Sequence, residues 1–174
     1  MTKAFITRDD TRCLFRAIRP EDADALQRFA RGLSEQARYF RFLSTMAELS
    51  PSMLARFTQI DYDREMAIVA VINDESGSER IIGVVRYLLN PDGATTEFAL
   101  VVADEYQGQG IGSALMKRIC EIARERGLKS VIGLVAASNS AMLKLMNHSG
   151  FVEQRHPDDP DLRQVVMQLR ETVD

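Results

Sequence analysis

The chain has 174 residues, 45% hydrophobic and 27% charged, which suits one globular domain with a substantial core and leaves no room for a second full domain. A net charge of −3, with Lys and Arg scattered along the chain, argues against a nucleic-acid footprint. Cys13 and Cys120 are the only cysteines, there is no Cys-x-x-Cys or His pair at ligand spacing, and no apolar run or signal-peptide core is long enough to insert in a membrane, so a metal-free, disulfide-free cytoplasmic protein is expected.

Residues 1–11 are polar and are expected to be a flexible N-terminus, leaving 12–174 as the domain. Arg12 to Ile18 alternates like a first strand. Pro20, Glu21 and Asp22 belong in the first turn of a helix, and Ala23, Leu26, Phe29 and Ala30 recur at helical spacing up to Gly32. Short helices are predicted after Ser34 and after Ser50-Pro51, the latter with Met53, Leu54 and Phe57 on its apolar side.

The period then becomes that of strands, over Met66–Ile72, Ile81–Leu89 and Thr95–Ala103, with turns at Asn73–Glu79 and Asn90–Gly93. A long amphipathic helix carries Ile111, Leu115, Ile119 and Ile122 on one stripe and stops at Gly127. Val131–Val135 reads as a buried strand and Ser140–His148 as a helix. Phe151–Gln154 with Gln164–Leu169 reads as a closing hairpin.

The segment between the third of these strands and the long helix is Gln107-Gly108-Gln109-Gly110-Ile111-Gly112. Three glycines in five residues clear the backbone of side chains, and the helix start behind them brings unpaired N–H groups and positive dipole, so an anion with a diphosphate is the expected ligand. A P-loop requires a lysine that Ile111-Gly112-Ser113 does not supply. A Rossmann fingerprint requires G-x-G-x-x-G early in a βαβ unit and an acid about 20 positions on. Here the spacing is G-x-G-x-G after a run of strands, and Lys129 to Gly133 stands where the acid should fall.

Gln107, Gly110 and Gly112 match the Gln/Arg-x-x-Gly-x-Gly/Ala signature of the GNAT superfamily of acyl-CoA N-acyltransferases, which the chain resembles. Asn139-Ser140-Ala141-Met142 followed by Ser149-Gly150-Phe151 is similar to that family's second landmark. Ile18-Arg19-Pro20-Glu21-Asp22, Arg38-Tyr39-Phe40-Arg41-Phe42 and Ile60 to Ala67 resemble the acetyltransferase domain of Pat-type protein lysine acetyltransferases, and the likeness runs over roughly residues 12 to 170. The resemblance implies a single α/β domain with a mixed, largely antiparallel central sheet flanked by helices. It further implies a cleft where the strand before the glycine loop diverges from the next. Its cosubstrate is acetyl-CoA, with Leu100, Val101 and Val102 along the thioester and pantetheine end. The resemblance further implies CoA binding by Gln107, Gly108, Gln109, Gly110, Ile111, Gly112 and Ser113, with the diphosphate on Gln109 to Ser113, and places Asn139 and Met142 beside the CoA chain. Asn139 is equally well explained as a helix N-cap.

Acyl transfer to an amine sets a definite demand. A lysine amine is mostly protonated at neutral pH, which costs about 4 kcal/mol of nucleophile availability. Glu97 is the candidate base, because Thr95, Ala99, Val101 and Ala103 share its face of the strand and leave it as that face's only ionisable group. The Pat-like pattern also has a glutamate base here. An unbulged hairpin with Leu89 opposite Ala94 would instead put Arg86 opposite Glu97 as a cross-strand ion pair, making a poorer base.

Many family members carry a tyrosine four residues before the Gly-Phe glycine as the acid for the departing thiolate. This chain has Met146 there, so solvent is the expected proton source. Tyr106 reads as an apolar anchor, His148 as a helix C-terminal cap and His156 as a turn residue. Acidic loops at Asp61, Asp63 and Glu65, and at Asp158, Asp159 and Asp161, are suited to attracting a lysine-bearing peptide or polyamine, or to being simply solvated. The function expected is acetyl transfer from acetyl-CoA to a primary amine, most simply a protein lysine. The alternatives are a small-molecule amine acceptor and an idle acyl-CoA-binding sensor.

Overall fold

The computed structural model describes residues 2–169, so the last five residues of the expected 12–174 domain lie outside the described residues. Eight strands form one sheet: β1 Lys3–Ile6, β2 Arg12–Ala17, β3 Glu65–Asn73, β4 Glu79–Leu89, β5 Thr95–Val102, β6 Ser130–Ala136, β7 Val152–Arg155 and β8 Leu162–Gln168. Their order is β1-β2-β3-β4-β5-β6-β8-β7, and every neighbouring pair is antiparallel except β5 and β6. The helices are α1 Ala23–Gly32, α2 Glu35–Phe42, α3 Pro51–Thr58, α4 Ile111–Glu125 and α5 Ser140–His148. The expected mixed, largely antiparallel sheet with flanking helices is the observed fold.

Local chemistry explains the helix starts. Ser34 and Ser50 each accept a hydrogen bond from the backbone N–H three residues on, at Ala37 and Met53, and Pro51 occupies the first turn of α3. The turn at Pro20–Asp22 is 3₁₀ rather than α, because the Asp22 carboxylate folds back to accept from the Arg19 N–H at 2.8 Å and from both ends of the Arg16 guanidinium. Ser34 also donates its N–H and hydroxyl to the Asp104 carboxylate, at 2.8 and 2.9 Å, tying α2 to the segment just after β5.

Where a frayed lead-in was expected, Lys3–Ile6 pairs with Arg12–Phe15, and Phe5 stacks on Phe15 with ring centroids 5.3 Å apart. The core lies on both sides of the sheet. Ile111, Leu115, Met116 and Ile119 of α4 are fully buried, and Gly83 of β4 lets Leu115 and Ile111 approach its backbone. Arg86, three residues along β4, points to the opposite face, where its guanidinium lies over the Phe57 ring of α3.

Candidate active site

The single parallel pairing determines where the cleft opens. β5 and β6 are bonded only from Thr95/Ser130 to Glu97/Ile132, after which β6 continues against β8 while β5 continues against β4. Phe98 holds the split apart: its buried ring fills the volume that a Cβ on Gly133 would need, and it packs on Phe151 at 5.4 Å between centroids. Glu97 is therefore the last residue of β5 before the divergence.

Glu97 is exposed, and its carboxylate makes no hydrogen bond or ion pair among the described residues. It lines two cavities that meet at Glu97, Phe98 and Ala99. One, of about 130 Å³, follows the split past Leu100, Val135, Asn139 and Met142 to Arg41 of α2. The other, of about 290 Å³, lies over β3, β4 and β5 and is walled by Arg56, Phe57, Glu65 and Arg86. Leu43, Leu88 and Leu134 are exposed apolar residues on the rims.

The alternative Arg86–Glu97 pair, which an unbulged hairpin with Leu89 opposite Ala94 would have made, does not form. Leu88, not Arg86, stands opposite Glu97, and Arg86 stands opposite Ala99. The turn is the cause. Asp92 Oδ1 accepts from the N–H groups of both Ala94 and Thr95, at 2.8 Å each, and Asn90 N–H bonds Thr95 O, so the first paired residues are Asn90 and Thr95 rather than Leu89 and Ala94. This moves the register by two and leaves Arg86 as a diagonal neighbour on the same face.

At the glycine loop, Gly108 and Gly110 have φ of 77° and 88°, backbone conformations that a side chain would strain. Gly110 is the N-cap of α4 and so supplies no capping side chain. The N–H groups from Gly108 to Ser113 have no acceptor among the described residues, which leaves them free for an anion. Gln107 donates its side-chain amide to Val102 O at 3.3 Å, bracing the loop against β5. A groove of about 530 Å³ continues from Gly110 and Ser113 along α4 past Lys117.

The β1–β2 turn docks on this loop, a contact that sequence reading missed. Arg8 N–H donates to Gln109 O at 3.3 Å and its guanidinium to Gly108 O at 3.2 Å, while Asp9 N–H donates to Gln109 Oε1 at 3.0 Å. No local pattern in a polar eleven-residue lead-in signals a contact a hundred residues away.

The other candidates fall as follows. Asn139 caps α5, accepting from Met142 N–H at 3.2 Å, and also borders the smaller cavity. Met146 is fully buried, and Tyr106 packs on the core as an anchor with Arg80 over its ring. Glu65 is not part of an acidic loop: it opens β3, is buried, and pairs with Arg56 at 2.5 Å. His148 ends α5 and His156 accepts from Asp158 N–H in its turn. Burial pushes both the Cys13 and Cys120 thiols up to about 11, so neither is an available nucleophile at neutral pH. Nothing in the sequence marks Arg41 and Phe57 as cleft residues; Arg86, the one charge inside the apolar run Ile81–Leu89, carries a signal, and the alternative that pairs it with Glu97 needs a hairpin register that the structure does not have.

A family profile described as the Acetyltransferase (GNAT) family matches residues 29–151, well over half of the chain. The chain belongs to the GNAT family. It is an acetyltransferase that draws its acyl group from acetyl-CoA. Among GNAT relatives, Acetyltransferase PA5475 from Pseudomonas aeruginosa is 38% identical over 151 residues, covering 87% of this chain and 81% of that protein. Acetyltransferase Pat from Mycolicibacterium smegmatis is 29% identical over 138 residues, which are 79% of this chain and 40% of Pat. The crystal structure of the GNAT domain of S. lividans PAT superposes with a TM-score of 0.87 at 27% identity, over 97% of each chain. Among the described residues, no cluster of three His, Cys, Asp or Glu has the makings of a metal site, and no helix is long and apolar enough to cross a membrane.

Proposed function

We propose that this GNAT protein acetylates a lysine-type primary amine by direct attack, with Glu97 as general base. The observation that carries the reading is Glu97 itself: an exposed carboxylate without a partner, at the junction of the two cavities and at the start of the β5–β6 split. The thioester enters along the split, its carbonyl beside the backbone of Leu100, Val101 and Val102, and its diphosphate lies on the N–H groups from Gly108 to Ser113. Gln107 braces that loop, and the groove past Lys117 accommodates the rest of the nucleotide.

The acceptor amine approaches over the sheet face. Glu97 takes the ammonium proton, directly or through one water, and the freed lone pair attacks the thioester carbonyl carbon. The nitrogen of the tetrahedral intermediate sheds its surplus proton to water, and collapse forms the amide and breaks the C–S bond. The CoA thiolate takes its proton from solvent, because Met146 is buried and has no proton to give. The exposed leucines around both cavities and the Pat likeness support a protein lysine as acceptor. The free, buried thiols of Cys13 and Cys120 support a reducing, cytoplasmic setting.

The test is thiol release from acetyl-CoA by the purified protein, with and without lysine peptides, polyamines and free amino acids. Acceptor-dependent release is expected. Tight CoA binding with no release from any amine would overturn the catalytic reading and leave an acyl-CoA sensor.

A further inference from the structure

Two guanidinium groups flank the Phe57 ring, Arg86 on the larger cavity and Arg41 on the smaller one that adjoins it, and neither forms an ion pair with a carboxylate among the described residues. Arg86 donates through Nη1 to Phe57 O at 3.3 Å and lies 4.5 Å over the Phe57 ring, but its Nε is buried with no acceptor among the described residues. The Arg41 guanidinium, from α2, is 5.8 Å from the same ring centroid and 4.8 Å from that of Phe42, and has no hydrogen bond or ion pair among the described residues. Burial holds both below the usual arginine range, Arg86 at about 9 and Arg41 at about 10, and the charge of Arg41 lowers Arg86 further against an opposing pull from Glu65. Of the nearby acids, Glu65 is taken by Arg56, and Glu97 pairs with neither cation. A partly desolvated cation that the protein leaves unneutralised is costly by itself and becomes favourable once an anion arrives with matching geometry.

We propose that Arg86 and Arg41 bind a carboxylate carried by the acceptor, so that the enzyme selects amines with a carboxylate close by. The source is either an acidic residue flanking a peptide lysine or the carboxylate of a free amino acid. This rests on the acceptor site proposed at Glu97. Arg86 is the diagonal cross-strand neighbour of Glu97 through the Leu88 register, a separation of about 7–8 Å between backbones. An amine on the Glu97 carboxylate and an anion on the Arg86 guanidinium then belong to groups only a few bonds apart. Phe57, held against Arg86, supplies an apolar wall between them. A polyamine meets two cations where it would need acids, and is disfavoured.

Steady-state kinetics at saturating acetyl-CoA would compare lysine peptides flanked by Asp or Glu, the same peptides with Asn or Gln, free amino acids, and spermidine. The acidic peptides or the free amino acids are expected to exceed the amide peptides and spermidine by at least tenfold in kcat/KM, and whichever does so identifies the source. In Arg86→Gln that ratio should collapse toward one, mainly through KM, and Arg86→Lys should recover part of it. Calorimetry with glutarate and N-acetylglutamate on the CoA-bound protein needs no turnover: binding should weaken at least tenfold in Arg86→Gln and in Arg41→Gln. Amide peptides and spermidine used as well as both the acidic peptides and the free amino acids, or carboxylate binding indifferent to both arginines, overturns the proposal. Absence of transfer to every amine would instead sink the acceptor-site reading, with calorimetry still deciding whether the arginines bind a carboxylate.

Discussion

The ring of Phe98 lies against Gly133 in the space that a side chain there would occupy. One aromatic residue on β5 thus wedges against one glycine on β6, immediately beyond the last bonded pair of those strands. Because the ring is buried and backed by Phe151, it cannot swing aside cheaply. Gly133→Ala is expected to cost about 1–3 kcal/mol of stability, the usual penalty for overpacking. Urea unfolding at unchanged m-value checks it, and a variant as stable as the wild type would show that Phe98 has room to move.

Glu97→Gln keeps the size of the side chain and removes its basicity. It should lower kcat by about 10²-fold or more while leaving acetyl-CoA affinity nearly intact, since Glu97 lies at the mouth of the split and not on the glycine loop. Stopped-flow thiol release together with equilibrium CoA titration separates the two quantities. Undiminished turnover would take Glu97 out of the mechanism.

Gly110→Glu combines three faults. It places a Cβ where φ is 88°, pushes toward Phe5, and adds negative charge in front of the free N–H groups at the start of α4. Acetyl-CoA binding should be abolished, with stability falling by about 1–2 kcal/mol from backbone strain. Retained affinity for CoA would move the diphosphate away from this loop.

Asp22 gives a pH dependence with a definite sign. Its burial alone would raise the carboxyl pKa, but the two Arg16 hydrogen bonds at 2.8 Å, the Arg19 N–H and the charge of both arginines outweigh this and lower it. A depressed carboxylate contributes stability that is present above its unfolded value, near 3.9, and is lost as pH falls through the folded value. Asp22→Asn should therefore cost about 3 kcal/mol at pH 7, the low end for a broken buried pair because Glu79 still holds Arg16, and should flatten the acid side of the stability profile. Denaturant melts from pH 7 down to pH 3 measure both effects. A parallel acid limb in the two proteins would assign it to other carboxylates.

Periodicity and turn residues located every strand from β2 to β8 and every helix, because each has a face to bury and a recognisable end. β1 was not legible, since its pairing rests on Phe5 finding Phe15 across a turn rather than on any alternation of its own. The glycine loop was legible because positive φ and an uncapped helix start demand particular residues. The neighbourhood of Glu97 was only half legible. Its face of β5 followed from alternation, but its cross-strand partner depended on how Asp92 gathers two successive N–H groups, and a two-residue change in register exchanged an ion pair for an unpaired carboxylate. The two cations on the Phe57 ring come from α2 and β4 and the ring itself from α3, which only the packed structure brings together.

The first eleven residues look dispensable on paper and are the natural place to trim or tag. Yet β1 occupies one end of the sheet and its turn grips Gly108 and Gln109. Cutting there would bare β2, with its row of unsatisfied amides and the Cys13 and Phe15 side chains, as a sticky border prone to self-association. It would also loosen the glycine loop, so a shortened protein that aggregates and binds its thioester poorly would be reporting one missing hairpin rather than two separate defects.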